Sequence, residues 1–183
     1  MGPPDDTSLP DGYPAELERH LTDNTGRRFL VRPVVPGDAE QLAEEIKQAD
    51  AETLYLRFFT PNFKADGQRI RYLTNVDYVY RLAVAVIDES DGNGVAIARY
   101  EGRPGSKAAE IAVTVKPAWR SVGLGSELVI LLEEAAVARG IERFEAIYLA
   151  GNRGAAGLMK ATGFHVEDVD AGVVTVAKDL GGG

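Results

Sequence analysis

The chain has 183 residues, 45% of them hydrophobic and 26% charged, which fits one ordinary globular domain and excludes global disorder. A formal net charge of -8 excludes a general nucleic-acid binder, which needs clustered Lys and Arg, and suits a cationic substrate. With no cysteine, and with His20 and His165 far apart, disulfides and a cysteine nucleophile are excluded and no metal is expected.

The elements follow in chain order. Met1 to Tyr13 is rich in proline and aspartate and reads as an exposed tail. Glu18 to Thr22 is a short strand that turns at Asp23-Asn-Thr-Gly26 into a second strand, Arg28 to Val35. Asp38 is placed to N-cap a helix carrying Leu42, Ile46 and Ala49. A second helix is expected over Glu52 to Phe59, ended by Thr60-Pro61-Asn62, and a third over Asp66 to Leu73. Strands Leu82 to Asp88 and Val95 to Glu101 are joined by Asp91-Gly92-Asn93-Gly94. A strand Ala109 to Val115 comes next, then a helix whose stripe Leu124, Leu128, Leu131, Leu132 and Ala135 reads as core, with Gly140 as terminator. Strand Arg143 to Ala150, a helix from about Asn152 and strands near Phe164 to Glu167 and Gly172 to Ala177 complete an α/β domain with a mixed sheet. The expected division is 1–26 as tail and hairpin strand, 27–180 as the domain, and 181–183 as a frayed tail. The longest apolar runs, such as Leu82 to Ile87, are too short for a bilayer, and the N-terminus lacks signal-peptide character. A cytoplasmic protein without a membrane partner is therefore expected.

The most informative stretch runs from Glu110 to Gly125, E-I-A-V-T-V-K-P-A-W-R-S-V-G-L-G. A strand ends at Pro117, and Arg120-Ser121-Val122-Gly123-Leu124-Gly125-Ser126 opens a helix. Glycines let successive N–H groups turn inward, the helix adds its positive dipole end, and Arg120 adds a permanent charge. That is an anion cradle of a size for pyrophosphate, although such turns also serve as plain strand-to-helix corners. No Gly-x-x-x-x-Gly-Lys-Ser/Thr occurs, and Gly123-x-Gly125 lacks the third glycine of a dinucleotide fingerprint.

Downstream lies Asn152-x-x-Ala155-x-x-Leu158-Met159-x-x-x-Gly163-Phe164. Together the two motifs resemble those of the GNAT superfamily of N-acetyltransferases, Arg/Gln-x-x-Gly-x-Gly/Ala followed by Asn-x-x-Ala-x-x-Leu-Tyr-x-x-x-Gly-Phe. The resemblance implies a mostly antiparallel mixed sheet with flanking helices, in which two parallel strands, here Ala109 to Val115 and Arg143 to Ala150, splay around the pantetheine arm of acetyl-CoA. It also implies acetyl-CoA as co-substrate, held by Val113, Val115, the turn Arg120 to Ser126 and Asn152. A strand N–H near Val113 would face the oxyanion. Leu54-Tyr-Leu-Arg-Phe-Phe59, Tyr13-Pro-Ala-Glu16 and Val31-Arg-Pro33 look like the bacterial Pat-type protein lysine acetyltransferases, which would make this chain a catalytic domain without their regulatory domain.

Amide formation from a thioester needs an unprotonated amine, and a free lysine has a pKa of about 10.4, so a base is required. Alternation puts Glu110, Ala112 and Thr114 on one strand face and Ile111, Val113 and Val115 on the other. Glu110 thus points away from the apolar layer, and the resemblance implies that it is the general base. The competing reading is a strand glutamate paired with an arginine. Asn152 equally suits a plain N-cap, and the two roles can coexist. Where the family often has a tyrosine acid this chain has Met159, which cannot donate a proton usefully. Tyr148 is the competing acid, with strand packing as its other reading. Phe58 and Phe59 read also as core. Three functions stay open: a protein lysine acetyltransferase, a small-molecule amine acetyltransferase and a non-catalytic acyl-CoA-binding module.

Overall fold

The computed structural model describes residues 9–23, 25–59 and 65–181. The first eight residues of the expected tail, the helix stop at Thr60-Pro61-Asn62 and the final two glycines lie outside the described residues. The strands are β1 (Arg19–Thr22), β2 (Arg28–Pro33), β3 (Arg81–Asp88), β4 (Gly94–Gly102), β5 (Ala108–Val115), β6 (Arg143–Leu149), β7 (His165–Asp170) and β8 (Val173–Asp179). The helices are α1 (Ala39–Gln48), α2 (Ala51–Phe58), α3 (Gly67–Thr74), α4 (Leu124–Ala138) and α5 (Arg153–Ala161). Every expected element is present, with ends shifted by a residue or a few.

The strands form one sheet in the order β1-β2-β3-β4-β5-β6-β8-β7, and every neighbouring pair is antiparallel except β5 with β6. Local chemistry sets the corners. Asp23 accepts from the backbone N–H groups of Thr25 and Arg27 and so folds the β1–β2 hairpin. Asp50 and Asp66 N-cap α2 and α3 by accepting from the N–H groups of Thr53 and Arg69. Gly140, at φ +78°, turns the chain out of α4 toward β6.

One face of the sheet carries the main core. Phe29, Leu82, Val84, Val86, Tyr100, Ile111 and Phe144 pack there against Leu124, Leu128, Leu131, Leu132 and Ala135 of α4, all of them buried, so the expected stripe is core. Each such aliphatic side chain contributes about 1.5–3 kcal/mol by leaving water. The opposite face meets α1, α2 and α3 and is polar at its centre.

Asp38 departs from expectation. Its side chain does not cap α1, because Pro36–Asp38 forms a 3-10 turn that swings the carboxylate back toward β2. There it receives both Arg32 guanidinium arms, at 2.8 and 2.6 Å, and the Val35 N–H at 2.9 Å. Both residues are buried, so this ion pair ties β2 to the start of α1 rather than decorating the surface.

Candidate active site

The β5–β6 ladder joins only Ala108 to Arg143, Ala109 to Phe144 and Glu110 to Glu145. Beyond Glu110 the two strands separate, while β5 remains paired with β4 as far as Val115 and β6 with β8 as far as Leu149. The result is a cleft of about 600 Å³ lined by Glu110 to Val115 on one side, Ala146 to Tyr148 on the other, and the 119–126 turn and α5 at its far end. The splay expected between these strands is therefore present.

The turn has the geometry of an anion cradle. Gly123 N-caps α4 at φ +92° with no side-chain cap, which leaves the first N–H groups of the helix without a side-chain acceptor. Ser121 is also left-handed, at φ 65°, a conformation a serine adopts only when its surroundings impose it. Arg120 is exposed, and its Nε donates to the Val115 carbonyl at 3.2 Å, fixing the guanidinium at the cleft entrance. Gly125 has a different reason to be glycine. A Cβ there would lie 3.2 Å from Leu158 Cδ1, so the close approach of α5 to α4 itself asks for glycine at this position. Asn152 caps α5 by accepting from the Ala155 N–H at 3.0 Å, and it also lines the cleft.

Glu110 is exposed and lies in the cleft wall. The register sets three glutamates abreast on one sheet face, Glu101 opposite Glu110 and Glu110 opposite Glu145. The outer two are occupied. Glu101 accepts from the Tyr72 hydroxyl at 2.7 Å and lies 2.9 Å from Arg99, and Glu145 accepts from Arg143 Nε at 3.1 Å. Glu110 makes no hydrogen bond and no salt bridge within 4.0 Å among the described residues. Half-buried Arg57 of α2 supplies a longer-range field. Burial lowers its guanidinium pKa, while the carboxylates of Glu101 and Glu110 hold it up.

Met159 is buried in the cleft wall, and Tyr148 lines the cleft from β6 with no hydrogen bond to its hydroxyl among the described residues. Phe58 and Phe59 are half-buried, and Phe59 lines the cleft. The flanking glutamates with their neutralising partners, and the buried Arg99, were missed in the sequence. Period-two alternation assigns a residue to a face but does not say which strands will lie beside it. No metal-binding cluster of His, Cys, Asp or Glu occurs among the described residues, nor any helix long and apolar enough to cross a membrane.

A sheet that opens at one parallel pair, with a glycine-turned helix start at the mouth of the gap, is the arrangement that the resemblance to GNAT N-acetyltransferases implies. Comparison with known proteins agrees: residues 28–165 match the family model "Acetyltransferase (GNAT) domain". The chain belongs to this family of acetyltransferase domains. It is 34% identical over 158 residues to the acetyltransferase Pat of Mycolicibacterium smegmatis, covering 85% of this chain and 47% of that protein. The chain thus spans about half the length of that curated relative. The crystal structure of the GNAT domain of S. lividans PAT superposes with a TM-score of 0.84 at 30% identity, covering 92% of this chain and 99% of that one. The cAMP-binding acyltransferase from Mycobacterium smegmatis gives a TM-score of 0.64 at 27% identity, over 91% of this chain and 48% of that one.

Proposed function

We propose that the protein transfers the acetyl group of acetyl-CoA to the ε-amine of lysine in a protein substrate, with Glu110 as general base. The observation that carries this reading is the unpaired carboxylate of Glu110 in the cleft wall, between two glutamates whose own charges are already engaged. A protonated lysine arriving at that row meets one carboxylate without a hydrogen-bonded partner among the described residues. Glu110 takes its proton, directly or through water, and the neutral nitrogen attacks the thioester carbonyl. The Val113 N–H is the donor assigned to the developing oxyanion, the turn Arg120 to Ser126 holds the pyrophosphate, and Val115 and Asn152 flank the pantetheine.

Collapse of the tetrahedral adduct breaks the C–S bond, and the proton that the nitrogen sheds on becoming an amide passes through water to the departing sulfur or to solvent. A thiol resembling cysteine has a pKa of about 8.5, so its thiolate leaves without full protonation and Met159 has only to pack beside it. The unbonded hydroxyl of Tyr148 favours a second reading, in which that hydroxyl delivers the proton. Tyr148→Phe separates the two: a several-fold loss fits the acid-free route, and abolished turnover with intact acetyl-CoA binding fits the tyrosine acid.

The exposed acceptor side and the Pat-named relatives favour a protein lysine over a small amine. Incubation of the protein and acetyl-CoA with a deacetylated lysate, read by mass spectrometry, is expected to show new acetyl-lysines on a limited set of proteins. Acetylation of free amines alone would replace the protein acceptor with a small one.

A further inference from the structure

A second cavity, of about 110 Å³, lies between α1, α2 and the polar face of the sheet. Its walls are apolar, with Leu42, Ile46, Leu54 and Ile97 among them, yet two guanidiniums line it, those of Arg57 and Arg99. Glu45 and Lys116 also reach it and face each other at 3.7 Å, which occupies their charges mutually.

Arg99 is 5% exposed, and its Nε and Nη2 make no hydrogen bond among the described residues. Glu101 Oε1 lies 2.9 Å from Nε but off the N–H direction, so the contact is ionic without being a hydrogen bond. Two further cations crowd it. Burial chiefly brings its pKa down to about 10; the Glu101 carboxylate pulls the other way, and the like charges of Arg57 and Arg81 add to the lowering. Arg81 is already committed to the Asn75 and Tyr72 carbonyls and to the Tyr72 ring, 3.8 Å from its guanidinium carbon. Glu101 offsets part of this charge, but two buried donors without an acceptor remain a cost that the oxygens of a bound ligand would relieve.

We propose that this cavity binds a short-chain monocarboxylate, between acetate and butyrate in size, with its carboxylate on Arg99 and Arg57 and its alkyl chain against the apolar walls. The size follows from the volume: a cavity of about 150 Å³ holds the six heavy atoms of benzene, so this one takes roughly four or five, and butyrate marks the upper limit. The head group follows from the donors. A guanidinium offers paired N–H groups that match a carboxylate, whereas phosphate would bring more charge than an apolar chamber tolerates. Such acids correspond to the acyl groups of short acyl thioesters. Arg57 lines this cavity and the acyl-CoA cleft alike, so occupancy is communicated to the wall that holds Glu110. The inference holds whether the acceptor is a protein lysine or a small amine.

The test is titration of the full chain with sodium butyrate at neutral pH, followed by thermal shift and saturation-transfer NMR, with n-butanol and sodium chloride as matched controls. Butyrate is expected to bind saturably at millimolar concentration or tighter, and the controls not to. Arg99→Gln is expected to weaken it at least about tenfold, the usual effect of losing a charged hydrogen bond, and Arg57→Gln severalfold. Absence of saturable butyrate binding to the unmodified protein, equal binding of butanol, or undiminished binding by folded Arg99→Gln would each overturn the proposal. Should Arg99→Gln not fold, the butyrate-to-butanol comparison and Arg57→Gln decide the matter.

Discussion

The two faces of the sheet are built from the same strands and serve opposite ends. On the α4 side, Leu82, Tyr100, Ile111 and Phe144 alternate inward and are sealed under a helix whose apolar stripe is continuous. On the α1–α3 side, the strands instead present Arg81, Arg99, Glu101 and Glu110; Arg99 is buried and lines one cavity, and Glu110 is exposed and lines the other. An antiparallel ladder fixes both faces at once, so charge on one face is tolerated because the other supplies the burial. Stability and chemistry are thereby divided between alternate residues of the same strands.

If that division is right, substitutions on the two faces should separate cleanly. Glu110→Gln keeps size and hydrogen bonding but removes the base, and should lower turnover by about 10²- to 10⁴-fold while acetyl-CoA still raises the melting temperature. The deficit should shrink as pH rises and more of the amine is neutral. Wild-type activity near neutral pH in this variant would end the assignment. Leu132→Ala, on the sealed side and fully buried, should do the reverse. It is expected to cost about 2–5 kcal/mol in denaturant unfolding and leave kcat per folded molecule nearly unchanged.

Alkali probes the sealed face by a different route. Burial pushes the phenols of Tyr78 and Tyr100 up to about 12, and their hydroxyls donate to the Val34 and Val79 carbonyls at 2.9 Å each. The folded state therefore keeps these protons where the unfolded chain, with a tyrosine pKa of about 10, releases them. Their contribution is complete below about pH 10 and is lost as pH rises from there through about 12, on the order of 2 kcal/mol for each tyrosine. A variant with both tyrosines changed to Phe should show a flatter stability profile in that window, and an unchanged slope would mean that other groups govern it.

How much of this was legible beforehand depends on whether the information is local. The stripe of α4, the alternation of β5 and the Arg120–Gly125 turn are local patterns, and each appears where the sequence put it. Asp38 was assigned to a cap because Asp before a helix is commonly one; what overrode that was Arg32, six residues upstream and brought alongside only when β2 is buried. Gly125 was read as part of the anion-cradling turn, and the further demand that a Cβ there would meet Leu158, more than thirty residues away in α5, is not visible locally. The row Glu101–Glu110–Glu145 needs the strand order as well as the alternation, and a single sequence does not state strand order.

Asn152 offers the smallest test and the one that bears on both faces. Its side-chain oxygen accepts from the Ala155 N–H at 3.0 Å, so the cap is real, and replacing it with Ala should cost about 1 kcal/mol of stability. It also lines the acyl cleft, where its amide group remains available for a second hydrogen bond. Two replacements distinguish the roles. Asp keeps the capping oxygen but loses the amide donor and adds a charge, whereas Ser keeps a capping oxygen and shortens the reach. If Asn152 only caps, both should hold stability and KM for acetyl-CoA near wild type. If it also holds the pantetheine, both should keep the melting temperature while raising that KM severalfold, with Asp raising it more. A KM that moves only in step with lost stability would leave Asn152 as a helix cap and nothing further.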